Sequence, residues 1–235
     1  MAPLLRFFLC CTSAMSLPSL ALAADPHAAA HARARQAVAA IAAHNPHAEA
    51  EWRPGQPGVQ LLLDLDLAVP GETMDQRAEA FLRQNEALIA IPFAALRPLP
   101  GTATRQRAVV RYQQLAQVAG DWLPVLGREV TLTFDVATGH LLRLVSDAMP
   151  TPQLARGKWT RAEAVAKALE SAPAGPRPEP RAAEPAVEEV VIATAHGAHP
   201  VWIVHVAGKS LRDLRTLAVD ARSGRVSRLP NRVLD

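Results

Sequence analysis

A chain of 235 residues with 25 Lys and Arg against 22 Asp and Glu carries a formal charge of only +3, and 49% of its residues are hydrophobic. So small a net charge, with no basic stripe, argues against nucleic acid as a partner. Arginine supplies most of the positive charge, since Lys158, Lys167 and Lys209 are the only lysines.

The first element is an export signal. Met1 to Arg6 holds one positive charge, Phe7 to Leu20 is almost uncharged, and Ala21-Leu22-Ala23 forms an A-x-A site. This predicts a secretory signal peptide over residues 1–23, cleaved after Ala23. The apolar run contains Pro18 and is shorter than the roughly 20 residues of a spanning helix, so a membrane anchor is not expected. Leu9 stands before Cys10 where a lipoprotein would need a small residue. Cys10 and Cys11 leave with the signal. The exported chain, periplasmic or secreted, then has no disulfide to form and rests on its hydrophobic core.

Residues 24–54 form an alanine-rich helical segment, with the helix itself over 28–43 and a thin apolar face of Val38 and Ile41. From Val59 to Leu67 the period-two pattern predicts one strand, with Val59, Leu61, Leu63, Leu65 and Leu67 inward and Gln60, Asp64 and Asp66 outward. Thr73 and Gln76 make a capping-box pair that opens a helix carrying Ala78, Phe81, Leu82, Leu88 and Ile89, ended by Pro92. Arg97 to Gly101 reads as a connection. A strand starts at Val110-Arg-Tyr112, and Pro124 makes Leu123–Leu126 an edge or a bend. Val130, Leu132, Phe134 and Val136 alternate with polar residues, and Thr138-Gly139 turns the chain into a returning strand, Leu141 to Val145.

A second, smaller region repeats this order. Thr160 and Glu163 pair as a capping box ahead of Ala162, Val165, Ala166 and Leu169. Residues 173–185 are a proline-rich, extended loop. Strands follow at Val187–Thr194, Val201–Val206 and Leu214–Asp220, the last turning into Val226. Asp135-Val-Ala-Thr-Gly139 and Asp220-Ala-Arg-Ser-Gly224 both read D-x-x-[ST]-G, with an aspartate to bond the turn amides and a glycine for left-handed backbone. Two copies at the ends of two successive α+β units predict related domains over 55–150 and 151–235.

The segment Arg111-Tyr-Gln-Gln114, Leu123-Pro-Val-Leu-Gly127 and Asp135-Val-Ala-Thr-Gly139 resembles the fungalysin/thermolysin propeptide domain. The matching motif residues are Arg111, Gln114, Pro124, Val125, Gly127, Asp135 and Gly139; Gly120-Asp-Trp-Leu departs from the family's usual G-V or G-I. The second half, with Thr160–Glu163, Asp220 and Gly224, resembles a PepSY domain. The two follow one another in the pro-regions of thermolysin-like zinc proteases. The resemblance implies an α+β fold of two small cystatin-like units, each a helix packed on an antiparallel sheet. It also implies a structural role for those motif residues, with Arg111 and Gln114 bracing the sheet.

No H-E-x-x-H is present, so no enzymatic activity and no cofactor are expected. The expected function is that of a stand-alone propeptide which binds a secreted thermolysin-like metalloprotease as inhibitor, folding helper or both. A remnant of a truncated precursor and a periplasmic metal-binding accessory protein are the alternatives. In family precursors the tail leads into the protease, so Arg228, Leu229, Pro230, Asn231, Val233 and Leu234 are the expected docking residues, with no clear core for the apolar ones to enter. His27 with His31, His44 with His47, and His196 with His199 lack a carboxylate or cysteine in a ligand pattern and read as solvated. Asp64 and Asp66 read as the wet side of a strand, and Trp122 and Trp202 as core or interface residues.

Overall fold

The computed structural model describes residues 27–171, 186–194, 197–206 and 215–230. The expected signal peptide, the proline-rich stretch 173–185, His196 and the tail residues Asn231, Val233 and Leu234 lie outside them.

The chain opens with α1 (Ala28–Ala42) and the short strands β1 (Glu49–Glu51), β2 (Leu61–Leu63) and β3 (Leu67–Ala68). Next come α2 (Met74–Gln84), α3 (Glu86–Ile89) and a 3-10 turn, Phe93–Ala95. Four long strands follow: β4 (Leu96–Ala103), β5 (Arg107–Val118), β6 (Asp121–Asp135) and β7 (His140–Ser146). After a linker come α4 (Arg161–Ser171), β8 (Ala186–Thr194), β9 (Gly197–Val206), β10 (Arg215–Asp220) and β11 (Val226–Arg228).

The expected fold, two separate cystatin-like α+β units, is overturned. Among the described residues the chain is mainly strand, and its eleven strands join in one sheet of order β1-β2-β7-β6-β8-β9-β10-β11, with β3 also paired to β7, and β5 and then β4 on the other edge of β6. The physical reason is strand length. Arg97 to Gly101 is not a connection but part of β4, which among the described residues is an edge strand paired with β5 alone. Pro98 and Pro100 are tolerated there because an edge strand needs ladder donors on one side only. Likewise β5 and β6 run for 12 and 15 residues, and β6 reaches across to pair in parallel with β8 at Val125–Val191.

The Val59–Leu67 strand also differs. Asp64 takes a left-handed backbone (φ 51), which breaks the run into β2 and β3. Leu62, between the leucines expected inside, is the fully buried one, while Leu61 and Leu63 are half-buried. Asp64 and Asp66 do face solvent. The α2 capping box forms as read, with Gln76 N donating to Thr73 Oγ1 at 3.2 Å and Thr73 N to Gln76 Oε1 at 3.2 Å. The helical run breaks at Asn85, ahead of Pro92.

The main core lies between α2–α3 and one face of β5, β6 and β7, where Leu82, Leu88, Ile89, Leu132, Phe134, Leu141 and Leu144 are fully buried. A second core sits under α4 and joins Ala164 and Ala168 to Val204, Leu217 and Val219. Between them lies a small third cluster of Ala116, Val118, Val125, Leu154, Val191 and Ala193. No described helix is long and apolar enough to cross a membrane.

Candidate functional site: the β5–β6 arm and the two hairpin tips

The outer ends of β5 and β6 form an arm that leaves the first core and enters the second half. Its base is a bulge: Gln113 pairs with Glu129, yet Leu115 pairs with Pro124, so Val125 to Arg128 stand opposite Gln114 alone. The Pro-Val-x-Gly element makes this bulge. Pro124 has no amide for the ladder, and Gly127 supplies a left-handed residue at φ 68. Gln113 stitches the loop closed, its Nε2 donating to Val125 O at 2.7 Å and Arg128 O at 2.8 Å.

Arg111, Gln114 and Val125 also have places in this joint, whereas Asp135 and Gly139 lie at the β6–β7 tip. Gln114 is 1% exposed; its Nε2 donates to Met149 O at 2.6 Å and its Oε1 accepts from Met149 N at 3.0 Å. It therefore fixes the start of the linker onto β5. Arg111 donates through Nε and Nη2 to Glu129 Oε2, at 3.2 and 2.7 Å. Val125 is buried and carries the pairing to β8.

Arg128, which the sequence reading passed over, joins the halves. Its Nη1 donates to Asp147 O at 3.1 Å, at the exit of β7, and its Nη2 to Ala193 O at 2.9 Å on β8. Leu154 of the linker closes the arm's other edge, its N donating to Gln117 O at 2.9 Å and its O accepting from Ala119 N at 2.8 Å. At the arm's end Arg156 pairs with Asp121. Glu189 of β8 lies near this pair; burial raises its carboxyl above the ordinary range, Arg156 opposes and Asp121 adds. On the outer face Trp122 and Leu126 are 44% and 43% exposed, so Trp122 is not a core residue. Trp202 is half-buried, packs in the core under α4 and donates Nε1 to Trp159 O at 2.9 Å.

The two tips are built alike. Asp135 Oδ1 accepts from Ala137 N and Thr138 N at 3.0 and 2.9 Å; Asp220 Oδ1 accepts from Arg222 N and Ser223 N at 2.9 and 2.7 Å. Gly139 and Gly224 both sit at φ 71. The Thr138 amide, with its hydroxyl and the Ala137 amide, holds the Asp135 carboxyl below its ordinary range. At Asp220 burial pushes upward, but the Ser223 amide and hydroxyl and the Arg222 amide outweigh it and the carboxyl is lowered. Each glycine is roofed from the start of its helix. Arg77 of α2 donates Nη1 to Gly139 O at 2.7 Å, and the Trp159 ring, one residue before Thr160, covers Gly224. Trp159 had a legible sign in its position just ahead of a capping box; Arg77 had none.

The expected docking tail is divided. Arg228 and Pro230 are exposed, while Leu229 has a core to enter. Its N donates to Thr216 O at 2.9 Å and its side chain packs against the cluster of Val190, Val201, Ile203 and Ala218. The histidines stay scattered: His31 packs edge-on against Trp52 with ring centroids 5.0 Å apart, His140 pairs with Asp66 at 2.6 Å, and His199 with Asp220 at 3.6 Å. Among the described residues no group of three or more His, Cys, Asp or Glu is placed to hold a metal ion.

No protein-family model and no curated protein matches the chain. Among solved structures, the Bacillus megaterium YpeB C-terminal domain is similar at 11% identity and a TM-score of 0.37, covering 84% of this chain and 96% of that one. The likeness is distant and says nothing of what this chain binds.

Proposed function

We propose that this is an exported binding module without catalytic chemistry of its own, which engages a thermolysin-like zinc metalloprotease as inhibitor, folding helper or both. The observation that carries the reading is the convergence of the propeptide-like motif on one joint. Arg111, Gln114, Pro124, Val125 and Gly127 meet at the base of the arm, which presents Trp122 and Leu126 to solvent. An exposed aromatic and an exposed leucine are the kind of apolar anchor a protein partner buries.

The test is titration of a thermolysin-like protease from the same source with the purified chain, following binding by calorimetry and peptidase activity by a fluorogenic substrate. The expected result is a saturable complex with reduced turnover or faster refolding of the protease. Trp122→Ser with Leu126→Ser is expected to weaken it at least tenfold, with unchanged thermal unfolding of the module. Absence of binding, inhibition and refolding assistance alike overturns the proposal. So does peptidase activity that copurifies with the chain and is lost in its variants.

A further inference from the structure

The two halves meet through little backbone. β8 pairs with β9 along its whole length, whereas its pairing to β6 is the single residue pair Val125–Val191. That pair lies at the edge of the bulge, where β6 has left β7 and the ladder is interrupted. The bulge contains one left-handed glycine, Gly127, and shifts the β5–β6 register between Gln113 and Leu115. A strand interrupted in this way bends there more easily than within its ladders.

The Arg128 side chain crosses the pivot. Arg128 holds a carbonyl of the first half, Asp147 O, and a carbonyl of the second, Ala193 O, with the two ends of a single planar fork. Its backbone is fixed by Gln113, whose Nε2 donates to Arg128 O. Hydrogen bonds from a charged donor are stronger than neutral ones, and the rigid fork sets a direction as well as a distance.

We infer that the β6 bulge is a hinge between the two halves and that the Arg128 guanidinium is its latch. With the latch closed the second half and the arm keep one angle to the first core. With it open the arm and β8 turn together about Val125–Arg128, because Val125–Val191 and Leu154 bind the arm to the second half on both edges. The device concerns motion and stands whether or not the partner is a protease.

Spin labels at the two exposed tips, Ala137→Cys and Arg222→Cys, in a full chain carrying Cys10→Ser and Cys11→Ser, report the angle as a distance distribution. Latched protein should give one narrow peak. Arg128→Ala should at least double its width, and Arg128→Lys should fall between, because an ammonium cannot hold both carbonyls in a fork. Hydrogen exchange of residues 130–134 in the first core should stay as slow as in the parent. An unchanged width in Arg128→Ala overturns the latch. Equal acceleration of exchange in the first core overturns it too, for Arg128 would then be a general stabiliser.

Discussion

Replacing Gln114 tests the joint at its buried polar residue. The residue is 1% exposed, and both ends of its amide are bonded to the backbone of Met149, at 2.6 and 3.0 Å. Gln114→Leu keeps the volume and removes both bonds. An unpaired buried polar group costs about 1–3 kcal/mol, and Met149 is half-buried, so water can recover one of its two groups; the expected loss is about 2–3 kcal/mol. Gln114→Glu separates the two bonds. It keeps the acceptor for the Met149 amide but sets a carboxylate against the Met149 carbonyl in a dry position, so its folded pKa rises above the unfolded value of about 4.3. Below that value the carboxyl is protonated in both states and its O–H can donate to the carbonyl. Above it the penalty grows by about 1.4 kcal/mol per pH unit until the folded pKa is reached. Urea unfolding at pH 4.5 and 7.5, each against the parent, reads this directly. A Gln114→Leu loss under about 0.5 kcal/mol, far below the cost of one unpaired group, or a Gln114→Glu deficit equal at both pH values, refutes the reasoning.

The tips give a graded pair. Gly224→Ala forces an L residue into φ 71 beneath the Trp159 ring and should cost more than Gly139→Ala, where the group above is the movable end of Arg77; the left-handed backbone alone costs about 1–2 kcal/mol. Equal melting-temperature losses would contradict the roofing. Asp220 has a lowered carboxyl, so its contribution is complete above the unfolded pKa near 3.9 and is lost as pH falls through the folded value. The parent's stability advantage over Asp220→Asn should therefore be full at neutral pH and vanish in acid once pH falls below the lowered folded value. Leu229→Ala should destabilise the second half by about 1–2 kcal/mol, a fraction of the full-burial value because the side chain is half-buried. Deletion of residues 231–235, which leaves Leu229 in place, is thus the truncation that tests tail docking, by protease affinity and not by melting temperature.

Local chemistry was legible where it lay within a few residues. The Thr73–Gln76 box, the Asp135–Gly139 and Asp220–Gly224 turns, and the alternation of Val130, Leu132 and Phe134 all form as their spacing dictates. What failed was the extent of strands, and through it the fold class. Pro98, Pro100 and Pro124 weaken a strand pattern, yet one pair sits on an edge and the other residue in a bulge, places that only the neighbouring strands define. Five alternating apolar positions from Val59 to Leu67 spell one continuous strand, but an aspartate tolerates left-handed backbone and Asp64 breaks the strand there. The candidate site shows the same limit. Gln114 and Gly127 belong to a motif, but Arg128 and Leu154 act across sequence distances of 65 and about 37 residues, to Ala193 and to Gln117. No local pattern announces such contacts.

The central claim, that the chain binds a thermolysin-like protease, is tested most directly by measuring their association in solution. Calorimetric titration of the protease with the purified chain should give a 1:1 complex with a dissociation constant below about 1 μM, the range a standard-sized protein interface reaches. No heat and no loss of peptidase activity at about 100 μM chain, with the chain folded by its own cooperative melt, would contradict it.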